Sequence, residues 1–345
     1  MFSFTALSAR GCEGGADGHR SCVAGSKGKS HYRPVGLRIG ERDMELSIRD
    51  EDFLNSFDHL GGYPLDEHGK NKLDLFVLKI NSNEFDYRYL IENLVDPMID
   101  FSLSRKVREK YSSKAGTLSR KAREKFIDHI RNKGELGELL LFCFLETHLR
   151  APKILSKLEL KTSTRHYVNG ADGVHFLRLD NGNYQLIFGE SKTIADLTAA
   201  ITDAFKSIDE FKREVNAKGD RKSGLGYEKS LISDHLEKET FSEEQKEFIE
   251  RIIYPSREND FEVDDAFGIF VGYEVKVSDD HKRLSNSEFR EKIKQEIKGK
   301  VESAFSHISK KIEEYELFGQ NFYIYVMPFT DLDESRRRIQ EEISG

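Results

Sequence analysis

Apolar and polar positions alternate along this chain with two periods, and the changes between them outline its elements. Leu73–Ile80, LDLFVLKI, is a near-continuous apolar run of strand length. YRYLIENLVDPMIDF (87–101) carries helical spacing that Pro97 is expected to end. Gly134–Leu149 is apolar on nearly every side, as a core helix is. A strand at Leu158–Thr162, a hairpin over Val174–Lys192 and a helix over Ile194–Val215 are expected next, followed by a loop-like stretch, NAKGDRKSGLGYEKS. SEEQKEFIERIIYP opens on a capping box, Ser242 with Gln245. Ala266–Val275 is a strand. Phe289, Ile293, Ile297, Val301, Phe305, Ile308 and Ile312 then form one stripe along a single long helix. NFYIYVMPF is the last strand, and a short polar helix closes the chain. Strands interleaved with helices predict an α/β (α+β) fold with a central sheet covered on both faces.

The pattern also divides the chain. Residues 1–43, rich in Gly and Ser up to about residue 33, read as a mobile tail, and translation starts at either Met1 or Met44. Residues 44–115 read as a small N-terminal α+β module and 116–345 as the main domain. With 345 residues, 37% of them hydrophobic, the chain can bury a substantial core. It has no apolar run long enough to span a bilayer, and its start lacks the features of a secretory signal. Cys12, Cys22 and Cys143 make neither a disulfide frame nor a zinc spacing. A cytoplasmic location and no membrane partner are expected.

A net charge of −7 means that any contact with nucleic acid must use a local basic patch. The densest basic stretch holds two similar heptads, SRKVREK (Ser104–Lys110) and SRKAREK (Ser119–Lys125). Arg105, Lys106, Arg120 and Lys121 are its candidates for phosphate contacts; two solvated helical faces are the competing reading. Arg336–Arg338 is a weaker candidate.

Chemistry concentrates where LIFGESK ends. Strand alternation points Leu186, Phe188, Glu190 and Lys192 one way, so an apolar face turns ionic at the strand's end. A two-residue Asn181-Gly182 turn would fold the partner strand back so that Asp172 faces Ser191. A bulge or a kink at Gly173, beside Gly170, would realign Asp172 with Glu190, and an irregularity is predicted there. Glu138 shares a helical face with Leu141, Phe142 and Leu145, where a carboxylate needs a cation, a donor or water. His175 reads as a packed histidine. Converging carboxylates suit Mg²⁺ or Mn²⁺, and a lysine beside them suits phosphodiester hydrolysis. The alternative is a set of solvated surface charges.

GELGELLLF, GADGVHF and FGESK together resemble the PD-(D/E)XK nucleases. GELGELLLFCFLE, YVNGADGVHFLR and ESKT followed by a helix are similar to the nuclease subunit of the Hachiman anti-phage defence system, HamA, over Lys125–Val215 and on toward the C-terminus. The resemblance implies a restriction-endonuclease-like mixed central sheet flanked by helices. It also implies a Mg²⁺- or Mn²⁺-dependent DNase acting with a superfamily 2 helicase (HamB-like) in the bacterial cytoplasm. By position, Asp172 and Glu190 would hold metal, Lys192 would be the catalytic lysine, and Glu138 would complete the site. The following helix departs from the Q-x-x-x-Y of RecB-like relatives and carries Asp203, Lys206 and Ser207, which take no role from the family. The second functional expectation is a non-catalytic subunit that docks and senses the helicase.

Overall fold

The structure, a computed structural model, describes residues 44–127, 134–156, 158, 170–215, 219, 224–236 and 241–345. Residues 41–345 form one compact unit, a mixed α/β fold around a seven-stranded sheet, with a small two-stranded sheet beside it.

The first strand of the large sheet, β1 (Phe57–Pro64), carries little apolar signal, but β2 (Lys72–Leu78) is buried along nearly its whole length. The short β3 (Ile80–Asn81) and β4 (Glu84–Phe85) pair as the small sheet. Helices α1 (Tyr87–Glu92) and α2 (Val95–Ser102) follow. Pro97 does not end a helix as expected. It lies in the first turn of α2, where a missing N–H removes no helical hydrogen bond. The basic heptads form α3 (Arg105–Lys110) and α4 (Ala115–Ile127). Next is α5 (Glu135–Thr147), buried at every position. β5 (Lys153–Ser156) precedes the strand expected at Leu158–Thr162, a segment that apart from Leu158 lies outside the described residues.

β6 (Gly173–Arg178), β7 (Tyr184–Thr193) and α6 (Leu197–Arg213) come next; Asp196 caps α6 by accepting from the Ala199 N–H. α7 (Leu225–Leu236) occupies the latter part of the stretch read as loop. α8 (Glu243–Ile253) starts on the predicted Ser242–Gln245 capping box. After β8 (Val263–Glu274) and the short α9 (Asp279–Lys282), the expected long helix is two, α10 (Asn286–Ser303) and α11 (Phe305–Glu314), broken at Ala304. β9 (Asn321–Phe329) and α12 (Leu332–Ser344) complete the fold.

The strand order is β1-β2-β9-β8-β7-β6-β5. β2, β9, β8 and β7 run parallel, while β1 and β6 are antiparallel to their neighbours. Strands β1 and β2, from the stretch read as a separate small module, thus extend the same sheet as the motif strands. Alternation along the strands sends Phe188, Phe267 and Phe322 to one face, against Phe211 and Phe205 of α6. Phe270 and Tyr325 point to the other face and stack with Phe144 of α5. The carboxyl ends of β7 and β8 therefore open between a helix on each side, the position at which α/β sheets present their ligand sites.

Candidate active site

β6 and β7 are joined by a three-residue loop. Leu179 and Asn183 close it with a 2.8 Å bond, and Gly182 within it takes φ +89°, a left-handed conformation that favours glycine. The extra residue changes the register: Val174 pairs with Phe188, where a two-residue loop would have paired it with Gly189. The regular ladder ends at that pair. The Asp172 N–H then bonds to Gly189 O at 2.9 Å, one residue out of step, so the strand departs from register beside Gly173. As β6 leaves, its neighbour's next inward-facing N–H, that of Ser191, has no ladder partner from β6. The Asp172 carboxylate takes it: Oδ2 accepts from Ser191 N at 2.7 Å and from Ser191 Oγ at 2.9 Å. Asp172 is 8% exposed and is held by two donors on the adjacent strand.

On β7, Glu190 and Lys192 point the same way, as alternation predicts, and form a direct ion pair. Their side chains are 15% and 27% exposed, so the pair lies at the rim of the core. Glu138 is in the first turn of α5, buried, at the helix's partially positive end. Gly137 decides how near that turn comes to β7. A Cβ at 137 would lie 3.0 Å from Thr193 Oγ1 and 3.2 Å from Ser191 Oγ, so any larger residue would press these hydroxyls aside by a few tenths of an ångström.

These elements enclose a cleft of about 280 Å³ lined by Glu138, Asp172, Glu190 and Lys192. Ser207 and Phe211 of α6 close its far side. Ser207, given no role from the sequence, is thus a wall of the cleft. The three carboxylates all line this one space. As hard oxygen donors they fit Mg²⁺ or Mn²⁺ in kind. His175 is packed, as expected: it is 2% exposed and its Nδ1 bonds to Ala151 O at 2.8 Å.

The basic heptads are drawn partly into the fold. Arg105 reaches Glu45 O at 3.3 Å and lies over the Phe241 ring, and Arg108 pairs with Asp100. Arg120 pairs with Glu124, Lys121 lies over the Tyr111 ring, and Lys106 is exposed. Arg336, Arg337 and Arg338 each pair with a carboxylate one turn away. Cys12 and Cys22 fall outside the described residues.

One cluster escaped sequence reasoning. Ligand atoms of His59, Asp74 and His148 all lie within 4.8 Å of one another, so these residues could hold a metal ion. Burial pushes the His148 pKa down to about 4, which leaves its imidazole neutral near pH 7. No motif spacing connects residues 59, 74 and 148, and the fold alone brings them together.

A family model, HamA, matches residues 51–343, from the turn before β1 to the last turn of α12. The chain belongs to the HamA family. Membership links it to Hachiman anti-phage defence. The match covers β1 and β2 as well as the cleft, so the family's characteristic sequence takes in the whole seven-stranded sheet. Among curated proteins, none matches the chain. No helix among the described residues is long and apolar enough to cross a membrane.

Proposed function

We propose that the cleft at the end of β7 hydrolyses DNA phosphodiester bonds with Mg²⁺ or Mn²⁺, and that the protein is the nuclease effector of a helicase-containing Hachiman complex. The observation that carries this reading is that Glu138 of α5, Asp172 just before β6, and Glu190 and Lys192 of β7 line one cleft. Their order supports a PD-(D/E)XK assignment: an acid on a helix, an acid at the start of one hairpin strand, and Glu-Ser-Lys on the next. So does the surrounding succession of α5, the β5–β6–β7 meander, α6 and a parallel β8, which is the expectation for a restriction-endonuclease-like core.

In this reading Asp172, Glu190 and Glu138 would hold the ion. It would polarise the phosphate and lower the pKa of a bound water. Ser191 keeps the Asp172 carboxylate from turning away by donating twice to one of its oxygens. Lys192 brings one positive charge to the cleft, suited to offset the charge that builds on phosphate oxygens in the transition state. Glu190 orients that ammonium. The hydrophobic wall from Phe188, Phe211 and Phe267 lowers the local polarity and strengthens these interactions.

The test is plasmid DNA incubated with Mg²⁺ and the protein, with and without the helicase and ATP, beside Glu190→Ala and Lys192→Ala. Cleavage by the wild type, lost in both variants, is the expected result. Retained helicase binding with no cleavage in any sample would replace the proposal with a docking and sensing role for the same fold.

A further inference from the structure

We propose that His59, Asp74 and His148 form a second metal site, separate from the carboxylate cleft, that takes Zn²⁺ through two imidazoles and one carboxylate. One oxygen, Asp74 Oδ1, lies between the two rings, 2.9 Å from His59 Nε2 and 4.0 Å from His148 Nε2. In a tetrahedral zinc site with bonds near 2.0–2.1 Å, ligand atoms are about 3.3 Å apart, so small side-chain rotations suffice to close the set. At 4.0 Å, His148 Nε2 is too far from Asp74 Oδ1 for a hydrogen bond. The two ligand atoms face one another across a gap that a cation can bridge.

The surroundings orient the ligands as metal sites require. His148 Nδ1 meets Tyr325 OH at 3.3 Å, the outer hydrogen bond that fixes a ligating imidazole and turns Nε2 inward. Tyr325 pairs with Asp74 across β2 and β9, so ligand and support come from one rung of the sheet. The His59 ring stacks on Phe76, with centroids 4.5 Å apart. A register shift between His59 and Gly61 aims that histidine, and Gly62 makes room: a Cβ there would lie 2.8 Å from Asp74 Oδ1. Lys72 Nζ, 3.6 Å away, lies on the other carboxylate oxygen, Oδ2.

Two nitrogens and one oxygen favour Zn²⁺ over Mg²⁺, which prefers oxygen alone. Three protein ligands leave a fourth position for water on the side where His59 is 40% exposed. Because His148 caps α5, whose first turn holds Glu138, the ion would tie β1 and β2 to the helix about 15 Å from the cleft.

The test is calorimetric titration of chelator-treated full-length protein with ZnCl₂ in excess MgCl₂, with melting temperature measured in parallel. The expected result is one Zn²⁺ per chain and a raised melting temperature. His59→Gln and His148→Gln should each weaken binding by at least about 100-fold, while Glu190→Ala binds like the wild type. Circular dichroism checks the fold of each variant; if His148→Gln does not fold, the partly exposed His59→Gln carries the test. Absence of zinc binding, undiminished binding in folded His59→Gln, or loss of binding in Glu190→Ala would overturn the proposal.

Discussion

Glu146, near the end of α5, offers a test of how this fold ties the segment before β1 to its core. Its carboxylate is fully buried and accepts two backbone N–H bonds, from Ser47 at 2.7 Å and from Lys153 at 2.7 Å. Burial outweighs these bonds and the nearby Lys153 and Arg105 charges, raising its pKa from 4.5 to about 7. Below about pH 4.5 both the folded and the unfolded chain hold this proton. Between there and about pH 7 the unfolded chain releases it and the folded chain keeps it, so unfolding sheds a proton and stability falls as pH rises. Above that window both states are ionised and the loss levels off. A shift of this size corresponds to about 3 kcal/mol. Glu146→Gln removes the titration but supplies one acceptor oxygen in place of two, a constant cost of about 1–3 kcal/mol. Urea denaturation from about pH 5 to about pH 8 should therefore show the variant less stable at the acid end, with its deficit shrinking or reversing at the alkaline end. Parallel stability curves for the two proteins across that range would refute the reasoning.

Other outcomes follow from the cleft and the helices around it. Gly137→Val places a side chain where a Cβ already falls 3.0 Å from Thr193 Oγ1, so thermal denaturation should show a loss of about 1–3 kcal/mol, with DNA cleavage reduced as the Glu138 turn is forced off β7. Ser191→Ala removes one of the two donors to Asp172 and should cost about 1 kcal/mol of stability, with a fall in Mg²⁺-dependent cleavage that Ser191→Thr partly restores. Charge reversal at Arg105, Lys106, Arg120 and Lys121 should weaken DNA binding and flatten its dependence on salt. Binding unchanged at every salt concentration would return these residues to the role of helix surface.

The sequence foretold the parts of the site set by local periodicity. Alternation along LIFGESK placed Glu190 and Lys192 on one face, and the apolar content of Gly134–Leu149 announced a buried α5. What it missed depended on geometry that short spacings do not encode. Asn181-Gly182 is a good two-residue turn signal, yet Asp180 joins the loop and shifts every pair of the hairpin by one. Pro97 is compatible with ending a helix or lying in its first turn, and only the position of the Leu94 cap decides between them. β1 carries Gly61, Gly62 and several polar residues, so its strand character comes from pairing with β2 and not from propensity. The His59–Asp74–His148 group is assembled from two strands and a helix end, beyond the reach of any motif.

The strand order has a consequence for biosynthesis. β9, the last strand made, lies between β2, among the first, and β8, and it is the strand that unites the two halves of the sheet. A ribosome that has yet to deliver Asn321–Phe329 holds two open edges of parallel strand with nothing to bridge them. Folding must wait for contacts across some two hundred and fifty residues, a topology that slows the final step. A polypeptide stalled or cleaved before that point keeps β1 and β2 apart from the β8-β7-β6-β5 half of the sheet, so the seven strands become one layer only when the chain is nearly complete.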